Sequence, residues 1–450
     1  MKTYNDLFEL GEKQDERLKF VRDAIREHEK SDEYKMAIVA KQYVEGKNAT
    51  IVQYQKVLYT LTGETVPDTY SANHKCASGF FKRFVTQENS YLLGNGVKFN
   101  EEKTKEKLGA DFDNVMYKAG KSALVQSVCF GFYNKDHVET FDLTEFVPLW
   151  DEEDGGLKAG IRYWQLAQNK PLRATLYELD GYTDFIKRTD EEMQVLHEKR
   201  PYIEIVQVSE ADGEEIIDGE NYSGFPIVPL WANLERQSEL VGRREQIDCY
   251  DLIKSGFAND LDDASMIYWT LQNTGGMDDI DLTKFVERMK TVRAAVVGDE
   301  AGAKAEAHTI DVPYRARERA LNRLRKDLYE DFMALDVEII SSGNITATQI
   351  EAAYEPLNQK TDEFEMCVID FINGILALAG VEDKPTFTRS QITNKSEKLQ
   401  NLLRTGEYID SDTITEEALI LLDMGDKYED VISKLTEQET ARFDNSEVTE

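Results

Sequence analysis

The chain is 450 residues long and carries 53 Lys and Arg against 86 Asp and Glu, a formal charge of −33, with 41% apolar and 31% charged residues. That length exceeds what one core usually serves, so two or more structural units are expected, and the apolar content excludes a disordered acidic chain. Net acidity excludes a protein that grips DNA tightly by its phosphates, although not one that surrounds DNA without holding it. No run of about 18 apolar residues occurs, so no transmembrane helix and no membrane partner are expected. The stretch MKTYNDLFELGEKQDERLKF has no apolar segment after a basic start, so no secretory signal is expected. Cys76, Cys129, Cys249 and Cys367 form no CxxC pair and read as reduced, mostly buried thiols of an intracellular protein.

Along the chain, Asp6 to Glu29 and Ser31–Tyr43 read as helices, followed by a turn at Gly46-Lys47-Asn48. Ala72 to Leu93 reads as a further helix with Phe80, Phe81, Phe84, Val85 and Tyr91 on a buried stripe, stopped at Gly94-Asn95-Gly96. The middle changes character. Ala123–Tyr133, Val138–Leu143, Gly160–Ala167, Leu172–Leu179 and Tyr202–Val208 are rich in β-branched and aromatic residues and are punctuated by Asn134-Lys135-Asp136 and Asp154-Gly155-Gly156, the pattern of an antiparallel meander.

Helix returns over Glu235–Leu261, with Leu240, Ile247, Tyr250, Phe257 and Leu261 near one face. A strand-like Ser265–Gln272, a Gly275-Gly276 turn, a helix over Asp281–Val297, a small-residue loop Gly298–Ala307 and a short strand His308–Val312 follow. Pro313 fits the first turn of a helix running to about Leu335. Asp336–Asn344 is a break. Thr348-x-x-Glu351 reads as a capping box opening a very long helix, whose Ile350, Leu357, Phe364, Phe371 and Leu378, with Tyr354, Thr361, Val368 and Ile375 between them, keep a seven-residue step. Pro356 should kink it and Gly380 should end it. The remainder holds a few helices, a second capping box at Thr413-x-x-Glu416, and a polar acidic tail expected to be mobile.

The search for chemistry finds little. No Walker A loop, HExxH or GxSxG occurs, and the five histidines stand far apart, so no catalytic residue, metal or cofactor is expected and the chain reads as a non-enzyme. Asp260-Leu-Asp262-Asp263 lacks the EF-hand glycine and terminal Glu, and reads first as a plain helix end. One charged feature stands out: Arg315, Arg317, Arg319, Arg323, Arg325 and Lys326 lie on one helix, with Arg315, Arg319 and Arg323 four apart and so on one face. Ala320, Leu321, Leu324, Leu328 and Phe332 occupy the opposite side. The favoured reading pairs these arginines with acidic neighbours; the alternative is a local basic face that meets nucleic acid.

Three blocks together resemble one family. The strongest is Asn73-His-Lys-Cys-Ala-Ser-Gly-Phe80-Phe81-Lys-Arg-Phe84-Val85-Thr-Gln-Glu-Asn-Ser-Tyr91-Leu92-Leu93-Gly94, preceded by Ser31-Asp-Glu-Tyr34 and Tyr43-Val-Glu-Gly46. The second is Gly224-Phe-Pro226-Ile-Val-Pro-Leu-Trp-Ala-Asn233, with Ser238-Glu-Leu240, Ile247-Asp248-Cys-Tyr250-Asp251 and Ser255-x-x-Ala258-Asn259-Asp260. The third is Ser342-Gly343-Asn-Ile345 and Tyr354-Glu-Pro-Leu357-x-x-Lys360, where the family often has an apolar pair after Ser-Gly and this chain has Asn344-Ile345-Thr346. In this order, from about Ser31 to Gly380, they are similar to the portal proteins of tailed double-stranded DNA bacteriophages.

That resemblance implies an α+β, mainly helical portal fold assembled as a ring, expected to be a dodecamer, around a channel for double-stranded DNA. It implies a wing (1–233, helical N-terminus plus β-meander, joined by the long kinked helix 347–380), stem helices at 234–263 and 313–335, a clip at 264–312, a tunnel loop at 336–346 and a helical crown at 381–450. Asp336, Glu338, Ser341, Ser342, Gly343 and Asn344 would belong to the tunnel loop, with Asp336 and Glu338 putting carboxylates at the narrowest point. Arg315, Arg319, Arg323, Arg325 and Lys326 would belong to the stem. Asp281, Lys284, Glu287, Arg288 and Arg293 would belong to the clip that meets the terminase large subunit and later the head–tail connector. The major capsid and scaffolding proteins would be further partners, and the chain would be a virion component at a capsid vertex, assembled in the host cytoplasm. The competing expectations are a structural adaptor or scaffold ring that conducts no DNA, and, below it, an enzyme of unfamiliar type.

Overall fold

The computed structural model describes residues 2–11, 13–59, 63–68, 73–188, 191–209, 213–264, 268–272, 279–291, 304–308, 312–338, 346–390, 395–404, 410–421, 428 and 431–434. Four helices open it: α1 (Tyr4–Glu9), α2 (Gln14–His28), α3 (Asp32–Val44) and α4 (Ala49–Gln53). On α2, Phe20, Val21, Ala24, Ile25 and His28 are buried, the one-sided spacing of an amphipathic helix. Ser31 caps α3 by accepting from the Tyr34 amide at 3.1 Å. A two-stranded hairpin, β1 (Val57–Tyr59) and β2 (Thr65–Pro67), leads towards α5 (Phe80–Leu93).

The helix expected from Ala72 starts only at Phe80. Residues 73–79 form a non-helical strap, because α8 (Arg244–Ala264) captures their amides. The amides of His74, Cys76 and Ser78 donate to Asn259 Oδ1 (2.6 Å), Ser255 Oγ (2.9 Å) and Asp251 Oδ1 (2.9 Å). Alternate amides of the strap thus meet acceptors four apart, about 6 Å of rise along α8. Within α5, the expected stripe of Phe80, Phe81, Phe84, Val85 and Tyr91 is buried. The left-handed residue after it is Gly96 (φ 74), whereas Gly94 stays right-handed.

After β3 (Val97–Lys98) and α6 (Glu102–Leu108), α7 (Phe112–Gln126) occupies part of what reads as a strand from Ala123. Phe112, Met116, Ala119, Ala123 and Leu124 form its buried face. Ser127, at φ 79, turns the chain into β4 (Val128–Asn134). β4 forms a hairpin through Lys135 with β5 (His137–Asp142), and β13 (Ile227–Trp231) flanks β4 on its other side. A five-stranded antiparallel meander runs β10-β9-β8-β7-β6, with β6 Phe146–Trp150, β7 Leu157–Trp164, β8 Leu172–Glu178, β9 Gly181–Lys187 and β10 Gln194–Arg200. β11 (Ile203–Ser209) and β12 (Gly213–Glu220) make a separate ribbon. The strands of this middle region are therefore more numerous than the sequence pattern, which misses β6, β9 and β10 of the meander, β12 of the ribbon and β13 beside β4.

The helix expected from Glu235 begins at Arg244, because Ser238 and Glu239 are buried in turns against the end of α7. β14 (Tyr268–Gln272) pairs antiparallel with β15 (Lys304–His308), with α9 (Asp279–Thr291) between them. β15 thus falls within the expected small-residue loop, while residues 309–311 of the expected strand and the Gly275-Gly276 turn fall outside the described residues. α10 (Tyr314–Asp331) follows, with Pro313 at the capping position just before it, and it packs along α8.

α11 (Ala347–Ala379) continues through Pro356 and ends at Gly380 in the left-handed conformation. Its capping box is Thr346 with Gln349, two residues before the expected Thr348. β16 (Thr386–Phe387) pairs with β3, and α12 (Lys395–Arg404) and α13 (Ser411–Leu421) follow, with residues 431–434 helical beyond them. Asp410 caps α13, accepting from the Thr413 amide at 3.0 Å, so Thr413 is a capped residue and not the cap.

The largest core joins α3, α5, α7, β4, the end of α10 and α11; Phe364, Val368, Phe371 and Ile375 of the expected seven-residue step lie in it. A second core seals α1 and α2 onto the meander, and a third, rich in Phe and Tyr, fills the space between the meander and the β13-β4-β5 sheet. Between Ile247 and Leu328, the described residues add only Phe285 to the buried apolar set. The distal parts of α8 and α10 thus have almost no core of their own.

Candidate functional site

Three arrangements of charge surround the α8–α10 pair. On α10, Arg315 and Arg319 are exposed and make no ion pair among the described residues; the Arg315 Nε donates to the Tyr314 hydroxyl at 3.1 Å. Arg323 pairs with Asp327 at 2.8 Å and Lys326 with Glu330 at 3.4 Å, both at the solvent surface, where such pairs contribute little. Arg317, on the other side, joins Asp260 of α8. With Asp262 paired to His74, the Asp260–Asp263 run is a helix-to-helix and helix-to-strap fastening, and no cluster of metal-ligating side chains occurs among the described residues.

Arg325 turns away from this row to the end of α10. Its Nη2 donates to Asp336 Oδ1 and its Nη1 faces Glu338 Oε2, each at 2.9 Å, and its guanidinium lies 5.0 Å from the Tyr329 ring centre. The Glu338 amide donates to Asp336 Oδ1 at 3.1 Å. One residue earlier, Gln87 of α5 holds Leu335 on both sides: the Leu335 amide donates to Gln87 Oε1, and Gln87 Nε2 donates to the Leu335 carbonyl, both at 3.0 Å. Leu335 is itself buried with Tyr91, Tyr354 and Leu357. Ser341, Ser342, Gly343 and Asn344 lie outside the described residues, as does Arg293. Of the remaining expected clip residues, Asp281, Lys284, Glu287 and Arg288 stand exposed on α9, around the buried Phe285.

The third arrangement is buried. Lys360 of α11 lies 2.6 Å from both Glu88 Oε2 of α5 and Glu239 Oε2, and Arg243 pairs with Glu239 at 3.1 Å. Lys360 also donates to the Phe332 carbonyl at 3.4 Å and Arg243 to that of Asp331 at 2.9 Å, so the cluster grips the last turn of α10. Burial pushes the Glu88 carboxyl up to about 7 despite Lys360. Burial also acts to raise Glu239, but Lys360 and Arg243 together hold it below the usual carboxylate range. A cavity of about 740 Å³ opens beside the cluster.

Sequence reasoning places Lys360 and Gln87 inside resemblance blocks but assigns them no role. The available signal is a lysine within the buried stripe of α11, next to Leu357, Thr361 and Phe364, which only a carboxylate partner can make tolerable.

Comparison with known proteins places these features in context. Residues 23–423 match the family described as phage portal protein, SPP1 Gp6-like. The chain is similar to the portal protein of Clostridium phage phiCD119, 31% identical over 194 residues, 41% of this chain and 43% of that protein. It is also similar to the portal protein of Bacillus phage SPP1, 23% identical over 399 residues, 81% of this chain and 76% of that protein. Among solved structures, a chain from the neck of an empty GTA particle aligns with a TM-score of 0.45 at 8% identity, covering 76% of this chain and 90% of that one.

Proposed function

Because the chain belongs to the family of phage portal proteins of the SPP1 Gp6 type, we propose that it assembles with copies of itself into a closed ring, a dodecamer, at one vertex of the capsid, and that double-stranded DNA enters and leaves the head through its centre. In this reading it is a structural component of the virion and no enzyme. The terminase large subunit supplies the packaging force, scaffolding and major capsid proteins surround the ring, and the head–tail connector later docks on it.

The observation that carries the reading is the distal α8–α10 pair. Two long helices packed on one another, with little buried apolar surface and with Leu261 and Tyr314 exposed, need further copies to cover them. A head-to-tail interface repeated about an axis closes into a ring. α8 and α10 then form the stem, β14, α9 and β15 the clip, residues 336–346 the tunnel loop, the sheets with α1–α7 and α11 the wing, and the chain beyond Gly380 the crown. A net charge of −33 per copy suits a conduit in which phosphates must slide, since acidic walls hold the duplex off the surface.

The test is packaging. Procapsids assembled with and without this chain are given terminase, ATP and DNA, and nuclease-protected DNA is measured. Protection that depends on the chain is the expected result; equal protection without it refutes the proposal.

A further inference from the structure

We propose that Gln87 and Arg325 are positioning residues that fix the root of the α10–α11 connection, one by an uncharged clamp and the other by an ionic one. The inference rests on the channel reading of that connection for its consequence, but its geometry stands apart from that reading. A side-chain amide bonded to both the N–H and the C=O of one residue fixes that residue in position and in rotation. Gln87 does this to Leu335, from a helix that also anchors the preceding turn, where Arg83 donates to the Tyr329 hydroxyl at 2.7 Å. Burial of Leu335 among Tyr91, Tyr354 and Leu357 adds a wedge at the same point.

The next three residues are held by charge. The two terminal nitrogens of one guanidinium reach two different carboxylates, an arrangement that lysine, with a single point of charge, reproduces poorly. Asp336 is nearly buried and also accepts from the Glu338 amide, so Arg325 organises a small turn as well as neutralising it. Arg325, Asp336 and Glu338 together leave one negative charge at the root in place of two. The carboxylates are thereby drawn towards α10, which limits how far they can push a passing phosphate.

Gln87→Ala, Arg325→Ala, Arg325→Lys and Glu338→Gln test this in assembled rings, with hydrogen exchange of the 334–338 amides and packaging rate as readouts. Gln87→Ala should speed exchange at Leu335 by roughly five- to tenfold, the worth of one lost hydrogen bond. Arg325→Ala should do the same at Glu338 and slow packaging, and Arg325→Lys should recover only part of both. Because Glu338 is exposed, Glu338→Gln keeps the fold and decides the matter if Arg325→Ala fails to assemble. Unchanged exchange across 334–338, or wild-type packaging by both alanine variants, overturns the inference. If wild-type rings themselves package nothing, the channel reading falls, while the exchange data still decide the clamp.

Discussion

Lys360 shows how one side chain can tie four segments together. It sits on the apolar stripe of α11, yet two carboxylates and the Phe332 carbonyl surround its ammonium group. Lys360→Met should therefore destabilise the chain by about 3–5 kcal/mol, the usual consequence of leaving a buried charge unpaired, as read in a denaturant melt. The same cluster sets a pH dependence. With its carboxyl raised from an ordinary 4.5 to about 7 by burial, the folded Glu88 keeps a proton that the unfolded chain has already lost. Stability from this group is thus highest below about pH 4.5 and declines as pH rises towards 7, on the order of 1–3 kcal/mol. Glu88→Gln should remove that slope, and stability–pH curves that stay parallel for wild type and variant would contradict the assignment. None of this is legible in the sequence beyond an out-of-place lysine, because its carboxylate partners lie more than 100 residues away in two other segments.

Gly131 is the opposite case, a residue whose role is an absence. A Cβ there would run into Cζ and Cε2 at the tip of the Phe371 ring. Gly131→Ala should cost about 1–3 kcal/mol through overpacking, and Phe371→Leu in the same chain should restore part of the loss. A variant melting at the wild-type temperature would show that the α11–β4 contact is looser than described.

At the scale of elements, what the sequence reveals divides by the range of the forces involved. The stripes of α5 and α11 are legible because the same 3.6-residue period that builds a helix also sorts its buried face. The Gly380 stop is legible for a similarly local reason. The α7–β4 junction is not, since Ser-Ala-Leu-Val-Gln suits either state and only the burial of Phe112, Met116 and Ala119 makes it helical. Residues 73–79 mislead for a tertiary reason: Asp251, Ser255 and Asn259 on α8 offer their amides a better set of partners than a helix start would. Asp251 also accepts from Asn48, so it binds the α4 region and the strap to the same helix. Asp251→Ala should cost about 1–3 kcal/mol in unsatisfied donors and expose the strap to proteolysis or faster hydrogen exchange around Ser78. Unchanged protection there would mean that the neighbouring Ser255 and Asn259 contacts suffice.

For the whole molecule, the contrast between a densely packed body and the sparsely packed distal parts of α8 and α10 is the main clue to how it works. Three cores hold α1–α7, the sheets and α11, and the largest also takes in Ile247 of α8 and Leu328 and Tyr329 of α10. The paired helices have an ion pair, a polar strap and exposed apolar residues, the surface that the proposed ring would cover. The mix of helix with antiparallel strand follows readily from the pattern of elements. The expectation of a ring comes from the resemblance alone, because an interface between copies leaves little periodic trace in one copy.

The most direct measurement is electron microscopy of the purified chain, alone and with its scaffolding protein, combined with native mass to count subunits. The account predicts rings of about a dozen copies whose central hole admits a duplex, roughly 20 Å or more given the dimensions of DNA. A closed oligomer with no such hole, or a chain that stays monomeric even with scaffold, would contradict it, and the hole-free oligomer would point to an adaptor that conducts no DNA.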